Sequence, residues 1–289
     1  MVQETIIPRA VLKLKFLIPI LAITLLLKSY GQDLLTTIDF NDAAGTYAAR
    51  ATATNNFFSN ALDMPGFVTN GSGQAVWAYD STANSDPDLN DQFKIRTFTS
   101  PLTEAAYSSV TLQFKVDFNL INTTTKSAKL GFGLTNGATK VAETRIAHAV
   151  NGHARPEYII NDSSVTSFNP SDNGATNWGL STGGNGLTIT TKIDFENDRI
   201  ILSYNNGNNS DGEIIFATEA YTGTSIDGLR FSVAGNDLFA DGDGAFFSVD
   251  QLTISGTPEP EPAQSACIVL IFCLGAVFLR RGKAWIHFR

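Results

Sequence analysis

The chain has 289 residues, with 28 acidic and 20 basic side chains and a formal net charge of −8. Of these, 25 acids but only 12 bases lie in residues 32–257, leaving that region near −13. Such a surface repels phosphate backbones and anionic lipid, which argues against nucleic acid as a partner and leaves cations and neutral sugars open. Cys267 and Cys273 both fall in a C-terminal apolar run, so the middle region cannot close a disulfide of its own and must be stabilised by packing.

At the N-terminus, Arg9, Lys13 and Lys15 precede an apolar stretch over 16–27, followed by Ser29-Tyr30-Gly31. A basic start, a short apolar run and small residues before a cut form the pattern of a secretion signal. Residues 1–31 are therefore expected to be removed by signal peptidase after Gly31. Twelve apolar residues are too few to cross a bilayer core of about 30 Å as a helix, so a permanent N-terminal anchor is the weaker reading.

The middle region alternates in the manner of strands. Over 110–120, Val110, Leu112, Phe114, Val116, Phe118 and Leu120 fall on one face while Thr111, Gln113, Lys115, Asp117 and Asn119 fall on the other. This predicts a half-buried antiparallel strand. Leu187, Ile189, Ile193 and Phe195 repeat the pattern, Asn197-Asp198 makes a tight turn, and Ile200, Leu202 and Tyr204 resume it up to Asn205-Asn206-Gly207. Further strands are expected over 34–40, 74–79, 92–98, 129–134, 155–160, 213–218, 228–233 and 245–254. No stretch of 32–257 sustains helical spacing, and Gly, Asn, Ser, Thr and Asp punctuate it throughout. The expectation is one all-β domain over 32–257, an antiparallel sandwich.

Several oxygen-bearing residues invite a chemical reading. In the last strand, Phe247 and Val249 belong to one register and Leu252 and Ile254 to the other, so a bulge is expected near Asp250. Asp86 to Asp91 resembles the start of a calcium loop but lacks its glycine and terminal glutamate, and reads as an acidic surface loop; Asp241-Gly242-Asp243-Gly244 reads as a hairpin turn. For glycoside hydrolysis, Asp194-Phe195-Glu196-Asn197-Asp198 is the nearest carboxylate group, with the wrong spacing and a turn at its tip. Gly71-Ser72-Gly73 is no nucleophile elbow, and His148 and His153 are expected in an exposed loop. No catalytic residue is assigned, and a hydrolase is the least supported reading. For sugar stacking, Trp77, Tyr79, Trp178 and Tyr221 are candidates, and Trp178 leads because it lies in the polar stretch 169–186.

The strand, acidic turn, strand, Asn-Gly turn and final Phe246-Phe247-Ser248-Val249-Asp250-Gln251-Leu252-Thr253-Ile254-Ser255 resemble the C-terminal half of concanavalin A-like, laminin G-like jelly rolls. That resemblance implies a jelly-roll sandwich and, in binding modules of this kind, a structural calcium between the first and last strands. Here it would draw on Asp39, Asn41 or Asp42, Asp250 and backbone carbonyls, since Ca²⁺ takes about six to eight hard oxygens. No other cofactor is expected.

At the C-terminus, Thr257 leads into Pro258-Glu259-Pro260-Glu261-Pro262, an extended spacer over 258–262. An uncharged run over 263–279 follows, then Arg280-Arg281 and a basic tail over 280–289. Seventeen uncharged residues are just enough for a spanning helix, and the arginines are expected to hold its end in the cytoplasm. A Pro-Glu-Pro element, a short apolar helix with Gly275 and an arginine pair together resemble the PEP-CTERM sorting signal of Gram-negative bacteria. That resemblance implies cutting near Pro258, Glu259 and Pro260 by an exosortase-type enzyme and transfer to the cell surface or extracellular matrix. The extension 282–289 departs from the pattern. The expected protein is a displayed, non-catalytic sandwich; the alternative is a lectin-like module for extracellular polysaccharide.

Overall fold

A computed structural model describes residues 31–63, 67–77, 88–119, 127–149, 153–167, 187–205, 213–236 and 246–259. The chain divides into two compact units, one over 33–256 and one made of 1–32 with 257–289. Within the second, only 31–32 and 257–259 are described. Among the described residues no helix is long and apolar enough to cross a membrane, and the apolar runs 16–27 and 263–279 lie outside them.

The unit over 33–256 is a sandwich of two antiparallel sheets. The strands are β1 (Asp33–Ile38), β2 (Phe67–Thr69), β3 (Ala75–Trp77), β4 (Asp88–Thr103), β5 (Tyr107–Asn119), β6 (Ser127–Asn136), β7 (Thr139–Ala149), β8 (His153–Ile160), β9 (Thr166–Ser167), β10 (Leu187–Asp194), β11 (Arg199–Asn205), β12 (Ile214–Ala220), β13 (Ser225–Asn236) and β14 (Phe246–Pro258). One sheet has eight strands in the order β12-β11-β10-β5-β14-β3-β2, with β1 also on β14; the other has six, in the order β4-β13-β6-β7-β8-β9.

The alternation read from the sequence sets the core. Val110, Leu112, Phe114 and Val116 of β5 are buried, as are Ile189 and Ile193 of β10 and Ile200, Leu202 and Tyr204 of β11. Rings join the two sheets: Phe114 lies 4.8 Å from Phe132 of β6, which lies 4.9 Å from Phe231 of β13. In β14 the buried phase changes between Val249 and Leu252, with Asp250 and Gln251 outside it, at the point where its partner changes from β3 to β1.

Two expectations need correction. His148 and His153 belong to strands, not to an open loop: His148 pairs with Ala154 and Ala149 with His153 at the end of the β7–β8 hairpin. Strand β7 escapes the sequence reading because two of its inward residues, Ala142 and Thr144, are small or polar and only Ile146 is large and apolar, so alternation is faint. Likewise Asp88 to Asp91 open β4 and do not form a loop.

Register also fixes which end of the sandwich each connection occupies. Turns at 104–106, 137–138, 161–165, 195–198 and 221–224 lie at one end, where Thr103 pairs with Ser225, Asn136 with Thr139 and Asp194 with Arg199. The strand ends flanking 78–87, 120–126, 150–152, 206–212 and 237–245, and the start of β10, lie at the other, where Asn236 pairs with Ser127 and Asp88 and Leu187 with Val116. Asp33 pairs with Gly256 at the turn end, so the sandwich begins and finishes there.

Candidate functional site

On the six-stranded sheet, Leu229, Phe231 and Val233 of β13 and Leu130, Phe132 and Leu134 of β6 face the core. Their neighbours in the alternation, Arg230 and Ser232 of β13, Gly131 and Gly133 of β6, and Glu143 and Arg145 of β7, face the other way. Register places Ser232, Gly131 and Arg145 on one row and Arg230, Gly133 and Glu143 on the next. Arg145 Nε donates to Glu143 Oε1 at 2.5 Å and Arg230 Nε donates to Oε2 at 2.5 Å. Ser232 Oγ also donates to Oε1. Glu143 is 0% exposed, and Arg145, Arg230 and Ser232 are no more than 4% exposed.

Two glycines make this arrangement possible. Strands lie about 4.8 Å apart, so Glu143 and Arg230 face each other across a whole strand. A Cβ on Gly131 would fall 2.6 Å from Ser232 Oγ, 2.7 Å from Arg145 Cγ and 3.0 Å from Glu143 Oε1; one on Gly133 would fall 2.4 Å from the Ala142 carbonyl oxygen. The carboxylate therefore lies over bare backbone. Its oxygens are committed to three donors, so Glu143 offers no free oxygen for nucleophilic or proton-transfer work. Burying charge is costly unless hydrogen bonds compensate, and such a cluster is weak evidence of a purely stabilising role.

One margin of this row is exposed and the other, at Glu157, is buried. Phe93 of β4, opposite Ser232 in register, is 47% exposed, and the Arg230 guanidinium carbon sits 3.6 Å from its ring centroid. On the opposite side, Lys129 Nζ pairs with Glu157 Oε2 at 2.9 Å. The sequence reading passed over Phe93, Glu143, Arg145, Arg230 and Ser232, because charged residues at alternate positions look like an ordinary solvated face. The available signal was Gly131-Phe132-Gly133 inside a strand, which marks a close approach.

The residues nominated for calcium are engaged within the protein. Asp250 accepts from Gln74 Nε2 at 2.7 Å and from Lys115 Nζ at 3.0 Å. Asp39 Oδ1 accepts from the Asn41 backbone N–H at 3.2 Å, and Asp42 accepts from the Thr52 N–H and hydroxyl. The Asn41 side chain lies against Gly73, whose φ of +87° suits glycine, so this loop does approach the Gln74 that holds Asp250. An ion at Asp250 would have to displace the Lys115 ammonium, so the donor set does not fit a divalent cation as it stands. Among the described residues no three His, Cys, Asp or Glu side chains group as metal ligands. Asp117, next along β5, has its carboxyl pushed up by burial and by the neighbouring Asp250.

The remaining nominees take ordinary places. Asp194 locks the β10–β11 turn through Asn197 and Arg199. Tyr221 is buried and donates its hydroxyl to the Ser225 carbonyl at 2.9 Å, so it is no stacking platform. Ser72 donates its N–H to Asn70 Oδ1 in a turn. Gly31 precedes β1, Pro258 ends β14 and Glu259 follows it. Tyr79, Trp178, Pro260, Arg280 and Arg281 lie outside the described residues, as does the Trp77 side chain.

No protein-family model and no curated protein matches the chain. Solved structures do. The CBM2 module of the evolved Dit of Lactobacillus casei BL23 phage J-1 is 14% identical with a TM-score of 0.49, over 79% of this chain and 97% of that one. A winged bean acidic lectin complexed with methyl-α-D-galactose is 6% identical with a TM-score of 0.43, over 68% and 91%. An immunostimulatory antigen and pseudo β-1,3-glucanase of Mycobacterium tuberculosis is 11% identical with a TM-score of 0.41, over 78% and 99%. These are likenesses of fold, and the sandwich itself rests on the two sheets described above.

Proposed function

We propose that the chain is an exported, surface-displayed β-sandwich that binds extracellular saccharide without catalysis. The observation that carries this is Phe93, a half-exposed ring on the outer face of the six-stranded sheet, held on the Arg230 guanidinium, which the buried Glu143 carboxylate fixes in turn. Sugars are recognised by apolar ring faces together with a few polar groups held in place beforehand, which spares the cost of ordering them on binding. A fully buried carboxylate with both oxygens engaged is not placed for proton transfer to a ligand. Trp178, in the polar stretch 169–186, is the second candidate for stacking.

Display follows from the ends of the sequence. Cutting after Gly31 by signal peptidase and near Pro258 to Pro260 by an exosortase-type enzyme would free the sandwich, and 263–279 with Arg280 and Arg281 would hold it in the membrane until then.

Two measurements test the reading. The purified mature protein, on an array of neutral and acidic glycans, is expected to bind a saccharide; silence across the array at millimolar sugar ends the saccharide half. Mass analysis of that protein is expected to give Gln32 as its first residue and an end near Pro258. Recovery of the uncut chain from cytosol removes the display half.

A further inference from the structure

We infer that β12 is a homodimerisation edge, on which a second copy of this chain lays its own β12 antiparallel and joins the two eight-stranded sheets into one. The inference stands apart from the saccharide reading above. A strand at the margin of a sheet presents backbone N–H and C=O groups that another strand can take up unless something covers them. The other margins of this sandwich are covered or cut short. Along β4, Ser59 N–H donates to the Thr97 carbonyl at 2.9 Å and Thr99 N–H donates to the Phe57 carbonyl at 2.8 Å. Along β2, Thr69 N–H donates to the Thr46 carbonyl at 2.7 Å, and the Thr69 carbonyl accepts from Gly45 N–H at 2.9 Å. Along β1, Ile38 bridges Ala53 and Thr37 N–H donates to Thr54 Oγ1. Strand β9 has only two residues. Strand β12, by contrast, ends the eight-stranded sheet with seven. The Asn161 amide bonds the carbonyl of its last residue, Ala220, and no described segment pairs with Ile215, Thr218 or Glu219 on the side away from β11.

The side chains of this edge suit a second copy. Ile215 is 57% exposed, Thr218, Glu219 and Ala220 are exposed with it, and 214–220 holds no proline and no lysine to turn a strand away. A bulge between Leu202 and Ser203 leaves Ile215 opposite Ser203 and Thr218 opposite Ile201. Ser203 and Ile201 alternate with the core residues Ile200, Leu202 and Tyr204, so Ile215 and Thr218 both lie on the outer face, while Phe216 and Ala217 are buried in the core. A two-fold axis passing between residues 216 and 217 therefore sets Ile215 of each copy directly opposite Thr218 of the other, both on the outer face. Pairs of β-branched residues across antiparallel strands are favourable, and here one sequence supplies both halves, as a closed two-fold interface requires. A slip of one residue would set Ile215 against Ala217 or Glu219 and mismatch the faces, so the bulge fixes the register.

Sedimentation of the purified mature protein tests this. At about 0.15 M salt, which limits the repulsion between two domains near −13 each to about 8 Å, a passage from monomer to dimer is expected between about 1 and 100 µM, the range of a small interface. Ile215→Asp places a carboxylate beside Glu219 of the other copy and is expected to weaken association about tenfold or more. Its thermal midpoint should stay within a few degrees of wild type, because the side chain is exposed. The register is checked with Ile215→Cys and Thr218→Cys. Oxidation of a mixture of these two variants is expected to give a disulfide-linked peptide pair joining 215 to 218, and to give it faster than either variant cross-links alone. Wild-type protein that stays monomeric at about 100 µM overturns the inference, whether the edge stands bare or another segment holds it. A dimer that Ile215→Asp leaves unchanged overturns it too, since association would then run through a different surface.

Discussion

Gly131 carries more of this protein's chemistry than its missing side chain suggests. The row it underlies brings one carboxylate and two guanidiniums together over backbone, and none of the three can move aside without breaking a charged hydrogen bond. Gly131→Ala adds a methyl where the nearest atoms would be 2.6 and 2.7 Å away. Overpacking of this kind costs about 1–3 kcal/mol, and a denaturant melt at neutral pH is expected to show a loss in that range. An unchanged midpoint would mean that Ser232 and Arg145 give way freely, and that the row is not held as described. At this scale the sequence was read well where side chains are apolar and poorly where they are charged. The core residues of β5 follow from alternation alone, because burial of Val, Leu and Phe has a single cause. Glu143 and Arg230 do not, because they are 87 residues apart and only the sheet pairing brings them together.

The β10–β11 hairpin shows how an element can be closed by one carboxylate. Asp194 is buried, which alone would raise its pKa, but hydrogen bonds from Asn197 and Arg199 and the charge of Lys192 outweigh this and hold it below the usual aspartate value. A depressed carboxyl stabilises the fold fully above its unfolded pKa and loses that contribution as pH falls through the folded one. Asp194→Asn is therefore expected to destabilise by about 1–3 kcal/mol at neutral pH, the worth of hydrogen bonds to a charged group. The gap between variant and wild type should close below about pH 4, near the ordinary aspartate value. Melts from pH 3 to pH 8 check this, and a gap that stays constant throughout would contradict it. The turn at Asn197-Asp198 was legible because turn chemistry is local, and Asp198 indeed has a φ of +51°. Strand β7 was not legible, since its inward Ala142 and Thr144 give the period little contrast.

In the whole molecule, the phase change near Asp250 could be read from the sequence, whereas what it serves could not. Strand β14 passes from β3 to β1 there, and Lys115 from β5 meets the half-buried Asp250 carboxylate. Because that ammonium stands where a divalent ion would sit, thermal midpoints in calcium and in chelator are expected to coincide. A rise of several degrees with calcium would show that an ion displaces Lys115 and ties the Asp39 and Asn41 loop to the last strand. Strand order itself lay beyond sequence reasoning: β1 and β14 stand at opposite ends of the chain, and nothing local announces that they are neighbours.

That neighbourhood has a mechanical consequence. Since Asp33 and Gly256 share a rung, a pull separating the two ends of the sandwich would unzip β1 from β14 one hydrogen bond at a time, at low force. A pull on the carboxyl end alone, opposed by a grip at the far end, runs along β14. It then loads that strand in shear against β5 and β1, with many bonds sharing the strain. A fold built in this manner gives way easily to traction between its own ends and stubbornly to traction along β14.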